Sequence, residues 1–209
     1  MDPARIAELL RPFTGDAKLP AELPEQFRVY LDLLLRWNAR INLTAVRDPE
    51  QIVTRHFGES LFAARMLDLQ AAKPIALADF GSGAGFPGIP IKLWSPQIEL
   101  TLIESHNKKA VFLREVLRAL TLDRVQVFCG RAEQWGQTAD VVTLRAVEHF
   151  ERALPVASSL VRQGGKLCLF ISAGQTKVAR ALSGEQWTWQ KPLPVPLSTA
   201  RVLMIGQGT

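Results

Sequence analysis

Residues 78–90, ADFGSGAGFPGIP, place Gly81, Gly83, Gly85 and Gly88 within eight positions directly after an apolar run. Glycine has more unfolded freedom to lose than any other residue, so four in one turn imply a loop whose main chain is approached closely. The rhythm downstream is that of strands alternating with helices. Apolar runs at 75–80, 98–104, 125–129, 139–144 and 166–172 predict strands. Between the second and third, Ala110, Leu113, Val116, Leu117 and Leu120 trace the core stripe of a helix, with Lys108, Lys109, Arg114, Glu115 and Arg118 on its wet side. HFERALPVASSLV predicts another helix, and Gly164-Gly165 a turn into the fifth strand. Such alternation gives a parallel sheet covered on both faces. The last extended runs, WTWQKPL and ARVLMIG, are joined only by a short Pro-rich link. A parallel crossover takes a dozen residues or more, so these two are expected to pair antiparallel.

Ahead of the glycine loop the pattern is helical. Asp2 and Pro3 read as a cap and first-turn proline before Ile6, Leu9 and Leu10, and Pro24 opens a segment with Phe27, Tyr30, Leu31, Leu34 and Leu35 at helical spacing. Asp48, Pro49 and Gln51 resemble a capped start, after which Ile52, Val53, His56, Phe57, Ser60, Leu61 and Ala64 share one face. The expected organisation is an N-terminal helical region, 1–73, packed on an α/β domain, 74–209. That domain is expected to be a mostly parallel seven-stranded sheet ending in an antiparallel hairpin, the Rossmann-like arrangement of class I methyltransferases.

With 209 residues, 47% of them hydrophobic, the chain can bury one good core. No stretch reads as a secretory signal or approaches membrane-spanning length, so a cytoplasmic protein is expected. Cys129 and Cys168 lie in apolar runs without metal-type spacing and read as buried, reduced thiols; no metal site is expected. The net charge of +5 lies wholly in the last 48 residues, where Arg162, Lys166, Lys177, Arg180, Lys191 and Arg201 face Glu185 alone. That part is the candidate polyanion face.

The ligand of the loop is read from its acids. Gly83, Gly85 and Gly88 satisfy G-x-G-x-x-G, and Glu104 ends the next strand, where a carboxylate can hold both ribose hydroxyls. This suits a dinucleotide and S-adenosylmethionine alike. Asp79 leans toward the second: an acid at the loop base opposes a pyrophosphate but suits a sulfonium and an ammonium. Its alternative role is a loop-bracing hydrogen bond. Ala132 and Glu133, after the third strand, stand where such folds meet an adenine, and Arg145 ends the fourth strand, where methyl transfer occurs in them; a salt bridge at the strand end is the alternative.

These pieces resemble the bacterial glucose-inhibited division protein B, or RsmG, family of small-subunit ribosomal RNA guanine-N7 methyltransferases. RWNARINLTAVRDPEQIVTRHFGESL resembles its N-terminal signature, DFGSGAGFPGIP and LIESHNKKAVFLREV its donor site, and LRAV the segment after its fourth strand. The resemblance implies S-adenosylmethionine contacts at Gly81, Gly83, Gly85 and Phe86 of the loop, Glu104 and Ser105 after the second strand, Ala132, Glu133 and Arg145, besides Asp79. It places Asn38, Asn42, Arg55 and His56 near the RNA or the cleft, with Arg145, His56 and Asn42 as candidate catalytic residues. His56 fits a core helical face equally, and Arg36 and Trp37 fit either RNA contact or packing. The implied partner is small-subunit ribosomal RNA, bare or as ribonucleoprotein, bound by a monomer. Glu59 stands where the family usually has Asp, and Ser172-Ala173-Gly174 where it usually has Lys before Gly.

Guanine N7 has an in-plane lone pair and no proton to remove, so its methylation needs alignment rather than a base. No nucleophile-His-acid constellation is present to contradict this. The competing readings are an NAD-dependent oxidoreductase, a low-turnover RNA-binding or ribosome-assembly protein on the same fold, and a small-molecule methyltransferase.

Overall fold

The computed structural model describes residues 1–69 and 74–209, so the expected division at 73/74 touches residues outside the described ones. Four helical elements come first: α1 (Pro3–Thr14), α2 (Leu23–Asn38), α3 (Pro49–Ile52) and α4 (Glu59–Leu67), the last two joined by a π-helical segment, Val53–Gly58. The caps read from sequence form. The Asp2 carboxylate accepts from the Ala4 N–H at 3.0 Å, and Asp48 from the Gln51 N–H at 2.8 Å, each satisfying a donor that the helix start leaves orphaned.

The sheet then alternates with helices: β1 (Ala76–Phe80), α5 (Gly88–Trp94), β2 (Glu99–Glu104), α6 (Asn107–Ala119), β3 (Val125–Cys129), β4 (Ala139–Arg145), α7 (Phe150–Ser159), β5 (Val161–Ser172), α8 (Gln175–Ser183), β6 (Trp187–Trp189), β7 (Leu193–Pro194) and β8 (Arg201–Gly208). The order across the sheet is β3-β2-β1-β4-β5-β8-β6, with β7 also paired to β8. β1 to β5 run parallel, and β8 is antiparallel to β5, β6 and β7. Among the described residues there are thus eight strands rather than the expected seven. The run read as one strand at 187–193 is split, because its two pieces meet β8 at Trp187↔Gly208 and Leu193↔Leu203 with Pro192 between them, and proline is tolerated only at such a sheet edge.

Gly164-Gly165 also behave differently from the reading. They lie inside β5 rather than in a turn before it, where the pairing with β4 shifts between Ala139 and Val141 and the glycines absorb the bulge. Cys168 is buried as expected, whereas Cys129 is exposed because β3 is the sheet edge. The basic C-terminal residues do not form one face. Arg162 pairs with Asp140 and Lys166 donates to the Leu67 carbonyl near the start of β5, while Arg180 donates to the Gln190 carbonyl and Arg201 pairs with Glu59.

One core runs from the N-terminal helices into the sheet, joining Phe13, Phe27, Tyr30 and Phe57 to Leu77, Leu100 and Phe112; α7 and α8 close the other face over Val142, Leu144 and Leu169. The ambiguous Trp37 belongs to this packing: it lies edge-on to Phe112, and its indole N–H donates to Glu115. Tyr30 ties the helices to the glycine loop. Its buried ring stacks on Phe86 at 5.5 Å, and its hydroxyl donates to the Ala84 carbonyl. Tyr30→Phe is expected to cost about 1–2 kcal/mol, the loss of a buried hydrogen bond whose acceptor stays behind. Urea denaturation at unchanged m-value measures it, and an undiminished midpoint would show that the hydroxyl does not anchor the loop.

Candidate active site

The loop between β1 and α5 takes positive φ at Gly81, Gly83 and Gly85 (66°, 57° and 89°). What approaches two of its glycines is the protein itself. A Cβ on Gly85 would stand 2.5 Å from the Tyr30 hydroxyl, and one on Gly88 would stand 2.9 Å from the Asp79 side chain. Gly81 is different: its face is open except for Val147, 3.3 Å from where a Cβ would be, and both residues line a cleft of about 530 Å³ beside the carboxyl ends of the strands.

Two buried carboxylates hold this loop from below. Asp79, fully buried, accepts from the Thr143 hydroxyl at 2.7 Å and from the Gly88 N–H at 3.2 Å. Burial pushes its carboxyl up to about 6, against the opposing hydrogen bonds from Thr143 and Gly88. Glu104, 6% exposed, accepts from the Gly83 N–H at 2.8 Å and the His106 N–H at 2.7 Å. The bracing role weighed for Asp79 is therefore present in the geometry. Because the first N–H of α5 already faces a carboxylate, the seat that a pyrophosphate takes at a helix start is filled by like charge.

Of the residues singled out from sequence, Gly81, Ser105, Ala132 and Glu133 come together on the cleft, with Arg131, His149 and Arg152 at its rim. Glu104 joins them through Gly83. Phe86 faces away from this group: it is buried on Tyr30 and stacks on the His56 ring at 4.7 Å. Asn42 is exposed in the loop after α2, and it is the buried Asn38 that shapes this loop, accepting from the Leu43 and Thr44 N–H groups and donating to the Thr44 carbonyl.

Arg145 and His56 form a second cluster, outside the lining of this cleft. The pairing Phe80↔Leu144 sets Arg145 level with Gly81. Its Nη2 shares its two N–H bonds among the Arg55 carbonyl (2.6 Å), His56 Nδ1 (3.0 Å) and Glu59 Oε2 (3.1 Å), and its guanidinium lies 5.6 Å from the centre of the Phe170 ring. Since Nδ1 accepts from Arg145, the His56 proton sits on Nε2, 2.8 Å from the Thr44 hydroxyl. Burial, reinforced by Arg145, Arg55 and Arg201, lowers His56 to about 2 and keeps it neutral. With both ring nitrogens engaged, it is arranged to orient Arg145 and not to exchange protons.

Glu59 and Arg201 were missed as site residues. Glu59 is 1% exposed and holds Arg145 with one oxygen and Arg201, at 2.6 Å, with the other. A signal existed for Glu59: it lies seven residues after Ile52, on the apolar face of its helix. Nothing local marks Arg201, which reaches the site only because β8 pairs Arg201 with Ser172 at the end of β5. The arrangement as a whole offers a cleft with acids and open backbone, and a separately fixed guanidinium at the end of β4.

The strand order, with this cleft at its carboxyl edge, is that of the Rossmann-like methyltransferase fold. The crystal structure of M. jannaschii TYW2 in complex with AdoMet superposes with a TM-score of 0.57 at 11% identity over 81% of this chain and 78% of that one, a likeness of fold alone. The chain belongs to the GidB family, rRNA small subunit methyltransferase G, whose family model matches residues 24–191. It is 45% identical over 144 residues to ribosomal RNA small subunit methyltransferase G of Xanthomonas axonopodis pv. citri, covering 66% of this chain and 64% of the relative. The protein of that name from Streptococcus pyogenes is 39% identical over 155 residues, covering 71% and 65%. The matched segment thus spans just under two thirds of these relatives.

Proposed function

We propose that this protein transfers a methyl group from S-adenosylmethionine to guanine N7 in small-subunit ribosomal RNA. The observation that carries the reading is Asp79: a fully buried carboxyl beneath the glycine loop, occupying the helix start where a dinucleotide would need its pyrophosphate. It favours a cationic ligand and disfavours NAD. Membership of the GidB family supports the reaction and the RNA class.

The residues fit the donor chemically. Gly81 leaves the cleft floor free of side chain, and Glu104, with only two of its lone pairs engaged by backbone, can accept from ribose hydroxyls. Ser105, Ala132 and Glu133 would flank the adenine. Gly83, Gly85 and Phe86 would shape the loop and its outer wall, and Arg145 would stand between donor and acceptor. When bound, the donor supplies a methyl on a positively charged sulfur, which an uncharged nitrogen lone pair can displace. The chain's task is then alignment and exclusion of water. A neutral His56 with both nitrogens engaged agrees with a reaction that needs no base. Exposed Arg131 and Arg152 at the cleft, and exposed Arg40 and Arg55 of the helical region, would meet phosphates, with exposed Asn42 as a further polar contact. We place the work in the cytoplasm, by a single chain without metal.

Mass-spectrometric mapping of ribosomal RNA from cells with and without the gene is expected to show one 7-methylguanosine lost. An unchanged map would remove the reading. Transfer of labelled methyl to bare RNA, isolated small subunits and whole ribosomes identifies the form of the substrate. Binding without transfer to any of them would favour the assembly-protein alternative.

A further inference from the structure

The Arg145 guanidinium is committed on one side only. Nη2 faces the Arg55 carbonyl, His56 Nδ1 and Glu59 Oε2, whereas Nη1 is buried and has no hydrogen-bond partner. A buried donor without an acceptor is destabilising, and such a group in a site calls for an acceptor that arrives with a ligand. The fixed side is held redundantly. Arg201 grips the other oxygen of Glu59 from Nε at 2.8 Å and Nη2 at 2.6 Å, so the carboxylate cannot turn away, and Thr44 holds the far side of the His56 ring.

Arginine ordinarily grips guanine with both nitrogens, one on O6 and one on N7. Such a grip would occupy the lone pair that must attack. Building on the guanine-N7 reading above, we infer that Glu59 is a positioning residue for acceptor recognition: it ties down Nη2 so that Arg145 reads the purine carbonyl O6 through Nη1 alone and leaves N7 uncovered. The contact selects guanine over adenine, whose six-position amino group is a donor and would face a second donor. As the new N7–carbon bond forms and the carbon–sulfur bond breaks, the positive charge moves from sulfur to the base, and no proton changes hands. Nη1 is buried in the free protein, so docking of the base must uncover it.

Glu59→Gln tests this, but it leaves two guanidiniums, that of Arg145 buried, without their carboxylate and can prevent folding. Combining it with Arg201→Gln restores the cluster's surplus of one positive charge while still releasing Arg145. Two readouts are needed. In the free protein, nitrogen NMR of His56 is expected to show the Nε2–H tautomer, and in the double variant a mixture of tautomers. In small-subunit RNA carrying 2-aminopurine at the mapped acceptor, which removes O6 and keeps N7, the unaltered protein is expected to lose about 10- to 100-fold in kcat/KM relative to guanine, the range for a hydrogen bond to a charged group. Both Gln variants are expected to discriminate less than about threefold, and Glu59→Asp to restore the preference, with donor Kd by calorimetry changed less than about threefold throughout. Retained discrimination in the double variant, an unmixed His56 tautomer there, or donor affinity that falls in step with turnover overturns the inference. Failure of the underlying reading looks different: the unaltered protein would bind donor and methylate no guanine, which also removes the inference before any variant is compared.

Discussion

Glu104→Ala is expected to weaken binding of S-adenosylmethionine about 100-fold, close to 3 kcal/mol, while RNA affinity changes less than about threefold. The carboxylate sits 6% exposed between the Gly83 and His106 N–H groups. In the proposed complex its remaining lone pairs accept from ribose hydroxyls, and hydrogen bonds to a charged group contribute about 1.5–3 kcal/mol. Truncation removes those bonds and also unpins Gly83, so the loop loses the pre-organisation that the donor relies on. Glu104→Gln keeps one accepting oxygen and is expected to lose only about tenfold. Calorimetry with the donor and filter binding with RNA separate the effects. Donor binding left intact, with RNA binding lost, would reverse the assignment of this residue.

Asp79→Asn is expected to change the pH dependence of stability by about 2–3 kcal/mol between pH 4 and pH 8. Burial raises this carboxyl from 3.8 to about 6. With the folded value above the unfolded one, the native state holds the proton more tightly. The resulting stability is complete below the unfolded value and is lost as pH rises through about 6, where the folded carboxyl must ionise in the core. Asparagine has no such charge to develop, so its stability relative to the unaltered protein should rise across the same interval. Urea denaturation without donor at the two pH values measures the difference. The groups that feel Asp79 most directly are Arg145, which favours its ionised form, and Tyr30 and Cys168, both pushed upward by burial and by Asp79 itself. In the proposed complex the donor would supply the missing partner. A sulfonium and an ammonium above the loop favour the ionised carboxylate, so donor affinity of the unaltered protein should increase as pH rises through about 6, and that of Asp79→Asn should stay flat. Equal donor affinity of the two proteins at pH 8 would sink the electrostatic argument for a cationic ligand.

The residues made parts of this site readable in advance for specific reasons. Gly81 to Gly88 follow an apolar strand, and Glu104, Ala132-Glu133 and Arg145 follow the next three, so their places at the carboxyl edge come from strand order alone. The Asp2 and Asp48 caps were legible because capping is local. The direction of Phe86, the split of the last edge strand and the bulge at Gly164-Gly165 depend on neighbours far along the chain. Position 59 was noticed only as an unusual residue, since a lone acid on an apolar helix face does not say which cations it will meet.

Periodicity and glycine placement by themselves determined the alternation of the first five strands with helices, the reversed final strand and the loop at the centre of the sheet, because those follow from which residues can be buried or bent locally, but they did not reveal the helix at Gln175–Ser183. Tertiary packing alone decided that Tyr30 would brace the loop from 54 positions away and that Glu59 would join Arg145 to Arg201. Buried charges meet where strands and helices from distant parts of the chain converge, and Coulomb energy in a dry interior depends on those distances, which no local pattern of residues encodes.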